Sequence, residues 1–171
     1  MFQPQRFAVR TAALCLVTGA ALASTAASAG TATSNLAVTA TVVANCTMST
    51  TALGFGNVDT LSGSNVDGAG SLSVTCTNGT TWTAAAGVGA GTGATFISRR
   101  LTSGANLLNY NLYTTAGRTI VWGDGTGATA TLAGTGTGTV QSISVYGRVG
   151  SGQTTVPAGS YADTIAVTVT Y

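Results

Sequence analysis

An all-β sandwich is the fold this sequence predicts, and three observations carry the prediction. Glycine, threonine, alanine, serine and valine dominate the chain, a composition that suits strands and tight turns better than helices. Beyond residue 29 no stretch carries apolar residues at the 3.6-residue period of a helix. Short strand-like segments recur instead at 36–43, 70–77, 80–85, 107–113, 119–122, 140–149 and 161–171. Turn signals separate them, among them Asp67-Gly68, Asn78-Gly79, Gly123-Asp124-Gly125 and Pro157-Ala158-Gly159.

The first element is not part of that sandwich. Arg6 and Arg10 precede an uncharged run over 11–26, and Ala27-Ser28-Ala29 forms a small-residue cleavage site before Gly30, so residues 1–29 read as a secretory signal peptide. The run is too short and too alanine-rich for a retained membrane span. Leu14 is too large for the position before a lipoprotein cysteine, so Cys15 is expected to leave with the leader. Residues 30–171 then form a single domain.

Next comes an alternating row, Leu36, Val38, Ala40 and Val42, in the stretch 30–44. Its period of two suits either the first strand of the chain's own sandwich or an extension free to pair with another molecule. Cys46 and Cys76 follow as the two cysteines beyond the leader, and in an exported chain such a pair reads as one disulfide. Closing a loop of about 30 residues stabilises by roughly 3 to 4 kcal/mol in the chain-entropy model. Two thiols without histidine or glutamate do not make a zinc set, so no metal or other cofactor is expected.

The glycine-rich stretches 87–93 and 123–138 are flanked by strand patterns and read as long surface loops. Trp82 and Trp122 read as core or loop-packing aromatics. At the end of the chain, Tyr161, Ile165, Val167, Val169 and Tyr171 occupy odd positions with small or polar residues mostly between them, the mark of a strand with one buried face. Tyr171 lies on that face with no polar tail after it, so this end is expected to belong to the core.

Charge and chemistry exclude several classes of function. After the leader, Arg99, Arg100, Arg118 and Arg148 balance Asp59, Asp67, Asp124 and Asp163, which leaves no basic surface for nucleic acid. The chain has no histidine, lysine or glutamate, so it lacks the common general base and any histidine-dependent triad. Asp67 and Asp124 sit beside glycines as turn residues do, and Asp163 suits a structural hydrogen bond. No Gly-Lys-Ser/Thr follows the glycine runs, so there is no phosphate loop. An enzyme is not expected.

Several motifs in order carry a family resemblance. They are Leu72-Ser73-Val74-Thr75-Cys76-Thr77, Arg99-Arg100-Leu101, Leu108-Asn109-Tyr110-Asn111-Leu112-Tyr113, Trp122-Gly123-Asp124-Gly125, Val145-Tyr146-Gly147-Arg148 and Pro157-Ala158-Gly159-Ser160-Tyr161-Ala162-Asp163-Thr164. Together with the placement of Cys46 and Cys76 and the aromatic end, they resemble the spore coat protein U domain. Within that family the chain is most similar to pilin subunits of archaic, Csu-type chaperone-usher pili. The likeness spans nearly all of 30–171 and departs from the family in the Gly/Thr-rich stretches.

The resemblance implies an incomplete immunoglobulin-like β-sandwich, residues 45–171, completed by a donor strand from a partner. A periplasmic pilus chaperone, an outer-membrane usher and neighbouring copies or related pilins are the implied partners. The implied route is export through the periplasm to a surface fimbrium or secretion, with a role in adhesion and biofilm formation. Strand addition of this kind combines main-chain hydrogen bonds with pockets for alternate side chains. The donor row is then 30–44, with Leu36, Val38, Ala40 and Val42, and the acceptor groove is lined by Ile165, Val167, Val169 and Tyr171. Burying such a row contributes on the order of 5 to 10 kcal/mol. That rivals the roughly 5 to 15 kcal/mol of a whole domain, so an uncompleted subunit is expected to be marginal. The competing expectation is a self-contained secreted sandwich, either a spore-coat component or a glycan-binding module. A tip adhesin needs a further receptor-binding domain that this length does not accommodate.

Overall fold

The computed structural model describes residues 28–171, so the leader expected at 1–29 lies outside them, Cys15 included, apart from its last two residues. Ala40–Tyr171 form one compact unit, distinct from the residues up to Thr39. The described part of the first unit, 28–39, has no regular secondary structure and is exposed throughout. Among the described residues no helix occurs, and the second unit holds ten strands.

In chain order these are β1 (Cys46–Thr51), β2 (Val66–Cys76), β3 (Thr81–Ala86), β4 (Arg99–Ser103), β5 (Asn106–Tyr113), β6 (Val121–Trp122), β7 (Thr129–Ala130), β8 (Leu132–Thr135), β9 (Gln141–Val149) and β10 (Val167–Thr170). Seven of them form one sheet in the order β1-β2-β9-β5-β6-β7, with β4 paired on to β5. The other three form a sheet in the order β10-β3-β8.

Alternation places the core between the sheets. Leu72, Val74 and Cys76 of β2 are buried, as are Leu108, Tyr110 and Leu112 of β5 and Val145 and Val149 of β9. From the smaller sheet they meet Trp82, Ala84 and Ala86 of β3 and Leu132 of β8. Trp82 and Trp122 are 3% and 2% exposed, which makes both core residues as the sequence suggests. The Trp122 indole N–H donates to Ala84 O at 2.9 Å, tying β6 of the large sheet to β3 of the small one.

One glycine is required by this packing. A Cβ on Gly134, opposite Trp82 in the β3–β8 register, would lie 2.6 Å from a carbon of the indole ring. Gly134→Val is therefore expected to cost about 1 to 3 kcal/mol through overpacking. Thermal unfolding would reveal it against Gly150→Ala, where nothing lies within 4 Å of the new methyl. An unchanged midpoint for Gly134→Val would contradict the packing described.

A buried cation fixes the far end of the sandwich. Arg99 is fully buried at the start of β4 and, among the described residues, forms no salt bridge with a carboxylate. Its guanidinium donates to Gly87 O at 2.9 Å, Phe96 O at 3.2 Å, Ala86 O at 3.3 Å and Trp122 O at 2.7 Å, and to Asn111 Oδ1 at 2.8 Å. Burial lowers its pKa from the ordinary value, and the nearness of Tyr110 and Asp163 opposes that shift. One side chain thus joins the 87–98 loop, β5 and β6.

The structure departs from the sequence reading at several places. Strand β4 occupies 99–103, where no strand is expected from the pattern, β7 falls with β8 in the run 123–138, and Tyr171, expected in the core, is 55% exposed because β10 ends at Thr170. The stretch 36–43 carries no strand. Strand β1 is present although its residues beyond Cys46 are all exposed, so it shows no buried face to read. Strand β8 lies inside the glycine-rich run taken for a loop. The last strand is shorter than expected: before Val167 the chain makes only an isolated bridge, Ala162 with Thr102.

Candidate acceptor cleft

Strand β10 is an outer strand. It pairs with β3 on one side, Val167 opposite Ala86 and Val169 opposite Ala84, and among the described residues no strand pairs with its other side. Gly87 N–H donates to Ala166 O at 2.8 Å, so the bonds toward β3 fall on the even residues. In an antiparallel ladder the N–H and C=O of Val167 and Val169 then point to the open side. The side chains of the same residues are half-buried against the core, while Thr168 and Thr170 are exposed.

Beside this edge lies a cleft of about 290 Å³. Ile165 and Val167 form one wall, and the chain leaving β1, Thr50–Leu53 with Phe55, forms the other. Tyr110, Leu112, Trp122 and Val145 close its floor, so the cleft opens directly on to the core. Glycines shape the second wall. A Cβ on Gly147 would come within 2.8 Å of Leu53 and 2.9 Å of Phe55, and one on Gly68 within 3.0 Å of Leu53. Leu53 and Phe55 therefore pack on a glycine floor in β2 and β9, and Phe55 meets Tyr110 edge-on at 5.8 Å.

Asp163 fixes the start of the acceptor segment. One carboxylate oxygen accepts the Tyr110 hydroxyl at 2.7 Å, and the other accepts the backbone N–H of Ala90 at 2.8 Å and of Thr164 at 2.7 Å. Burial, reinforced by this hydrogen bond, raises the Tyr110 pKa well above the ordinary phenol value, so the hydroxyl stays a neutral donor. The structural role expected for Asp163 is the one it performs.

The four predicted acceptor residues are not equivalent. Ile165 and Val167 line the cleft, and Val169 packs against the core without lining it. Tyr171 is 55% exposed and borders a separate, shallow hollow of about 600 Å³ with Trp82 and Gly134. The predicted donor residues Leu36, Val38 and Val42 are 83% to 88% exposed, and Ala40 is exposed too. Isolated exposed aliphatics are ordinary on a protein surface; a periodic row of them on a strandless segment is not.

The disulfide stands where the second unit's first strand begins. Cys46 and Cys76 are bonded and face each other in the β1–β2 register. Just before them, Asn45 N–H donates to Thr77 Oγ1 at 3.1 Å, and Thr77 N–H donates to Asn45 O at 2.9 Å.

Sequence reading missed the second wall and the Asp163–Tyr110 bond. The signal for the wall was the short alternation Leu53-Gly54-Phe55, too brief to read as a strand.

Comparison with known proteins places this arrangement. The family model described as Spore Coat Protein U domain matches residues 32–168. Protein U of Myxococcus xanthus is 38% identical over 180 aligned positions, which cover 96% of this chain and 99% of that protein. Among solved structures, a chain of the CsuC–CsuE chaperone–tip adhesion subunit pre-assembly complex from archaic chaperone-usher Csu pili of Acinetobacter baumannii superposes with a TM-score of 0.56 at 20% identity. The match covers 77% of this chain and 40% of that one, so less than half of that neighbour is represented in it. The likeness lies in the fold, an incomplete immunoglobulin-like sandwich.

Proposed function

Because the chain belongs to the Spore Coat Protein U domain family, we propose that it is a structural pilin subunit of a chaperone-usher surface fibre, polymerising by donor-strand exchange. The observation that carries this reading is a pair of unmatched features in one chain. Strand β10 offers an unpaired edge beside a cleft that opens on the core, and Leu36, Val38, Ala40 and Val42 form an exposed apolar row with no strand of their own.

Each feature is costly alone. An unpaired edge next to exposed core invites aggregation, and a strand laid along β10 would satisfy Val167 and Val169 while covering the cleft. A periplasmic chaperone fills the groove first, and at the outer-membrane usher the 30–44 segment of the next copy or a related pilin replaces it. The product is a surface fimbrium serving adhesion and biofilm formation, and its subunit acts by assembly, not by catalysis.

A self-contained coat or glycan-binding sandwich would need 36–42 paired within its own sheet. That stretch carries no strand and is exposed, which favours the exchange reading.

Deleting residues 31–42 is expected to leave a subunit that still co-purifies with its chaperone but does not extend a polymer. Fibre assembly undiminished by the deletion would sink the mechanism.

A further inference from the structure

We propose that the outer face of the large sheet carries a binding site for an acidic sugar, built from Arg118, Arg148, Asp67, Tyr113 and Tyr146. The site lies on the side of that sheet turned away from the core and does not depend on the donor-strand reading.

Strand pairing brings the residues together. Asp67 of β2 lies opposite Arg148 of β9, and Tyr146, two residues earlier in β9, lies opposite Tyr113 of β5. Tyr146 and Arg148 alternate with the buried Val145, Gly147 and Val149, so their side chains leave the sheet on its outer face. Arg118 joins them from the loop after β5. Its guanidinium carbon lies 5.7 Å from the centre of the Tyr146 ring, and its Nε donates to Gly147 O at 3.0 Å.

The charges here do not balance. Arg148 Nε and Nη2 donate to the two oxygens of Asp67 at 2.7 and 2.9 Å, an arrangement that by itself neutralises both groups. Arg118 Nε then stands 3.2 Å from the same carboxylate oxygen that Arg148 Nε contacts. Two cations thus share one anion, and the surplus positive charge stays at the surface. Arg118 is held there against its backbone preference, at φ 54°, as the one non-glycine residue with positive φ among those described. A conformation of that kind persists where the surroundings enforce it, and ligand clamps are among the places where it collects.

Each guanidinium keeps an unused donor. Among the described residues Arg118 bonds through Nε and Nη1 and Arg148 through Nε and Nη2, which leaves Arg118 Nη2 and Arg148 Nη1 without a protein acceptor. Neither atom is buried. A carboxylate received at these atoms would form charge-assisted bonds and cancel the surplus charge.

The surrounding face selects among anions. Beyond Ala69 and Tyr146 it continues as Ser71 opposite Ser144 and Ser73 opposite Ser142, and β1, β2 and β9 carry no other charged residue. Hydroxyls beside half-buried tyrosines suit the hydroxyls and C–H faces of a sugar chain. An acidic peptide or an anionic membrane calls for a run of cations, which this face lacks. The occupant is therefore a polysaccharide carrying uronate units. The acceptor cleft opens beside β10 of the other sheet, so a strand laid there leaves this face uncovered. In a fibre every copy would present the site, and a weak single contact would gain by repetition.

Binding of a uronate oligosaccharide to the full chain, as fibres or as soluble subunit, tests the site against a neutral glucan of equal length and poly-glutamate. The expected result is preference for the uronate and weakening with salt. Arg118→Gln and Arg148→Gln should each weaken binding by about tenfold, as loss of a charge-assisted hydrogen bond does. Arg100→Gln, which removes a cation elsewhere, should bind as wild type does. A photoactivatable uronate should label 113–118 and 146–148 of the unmutated chain, a readout that needs no variant to fold. Absence of uronate binding, equal binding of glucan or poly-glutamate, labelling elsewhere, or an equal loss with Arg100→Gln would each overturn the site. Fibre assembly does not enter these readouts, so their failure leaves strand exchange standing.

Discussion

Val167→Asp is expected to abolish fibre formation. The side chain lines the acceptor cleft and its backbone faces the open edge of β10, so any strand laid there must bury the new carboxylate beside Ile165, Leu112 and Trp122. Enclosing an unpaired carboxylate costs several kcal/mol, comparable to the roughly 5 to 10 kcal/mol contributed by the whole donor row. Thr168→Asp is the control, since Thr168 is the exposed neighbour on the opposite face and bonds toward β3. Electron microscopy and denaturant-resistant polymer on gels would score both. Fibres from Val167→Asp equal to wild type would contradict the assignment of the cleft; loss with both variants would mean the strand itself had been disrupted.

Arg99→Ala is expected to leave no recoverable folded subunit. The substitution removes the donors of five hydrogen bonds and takes this partner from the carbonyls of Ala86, Gly87, Phe96 and Trp122, while Asn111 Oδ1 keeps the Leu112 N–H at 2.9 Å. Each buried acceptor left unsatisfied costs about 1 to 3 kcal/mol, so the total rivals the stability of an entire domain. Arg99→Lys should fare little better, because one ammonium cannot reproduce the planar fork that reaches several oxygens at once. Neighbouring Arg100 provides the contrast: its hydrogen bond is to Thr92 O at 2.7 Å, and Arg100→Ala is expected to cost far less. Soluble yield and circular dichroism of the chaperone-bound subunit would separate the two. A well-folded Arg99→Ala would refute the role assigned to this buried cation.

These residues also mark what the sequence could and could not reveal. Strands with one buried face were legible because alternation survives in them, as in Leu72, Val74 and Cys76 or Val167 and Val169. Strand β1 was not, because an edge strand exposed beyond its first residue has no hydrophobic period to detect. Strand β8 was hidden by Gly134, whose missing side chain is the space that Trp82 fills. That exchange of volume between distant residues is invisible to any local reading.

The same holds for the site. Its acceptor strand was legible as a pattern, but the cleft's other wall depends on Leu53 and Phe55 meeting glycines more than ten residues away, at Gly68 and Gly147. Arg99 and Asp163 were visible within motifs, yet burial and hydrogen bonding gave them their roles. The shortened β10 follows from the same chemistry. Asp163 turns to hold Tyr110 and Ala90, and continuous pairing begins only at Val167.

The disulfide acquires a mechanical meaning in a fibre linked through its N-terminal segments. Pulling force would enter each subunit at Asn45, immediately before β1, and an edge strand loaded from its end is the element most easily peeled away residue by residue. Cys46 lies at that point of entry and is bonded across the ladder to Cys76 of β2. Strand β2 is flanked by β1 on one side and by nine register positions of β9 on the other. Tension would thus bypass β1 and be carried by a strand that must shear along its length, so the bond would set how hard the fibre can be pulled before a subunit unravels.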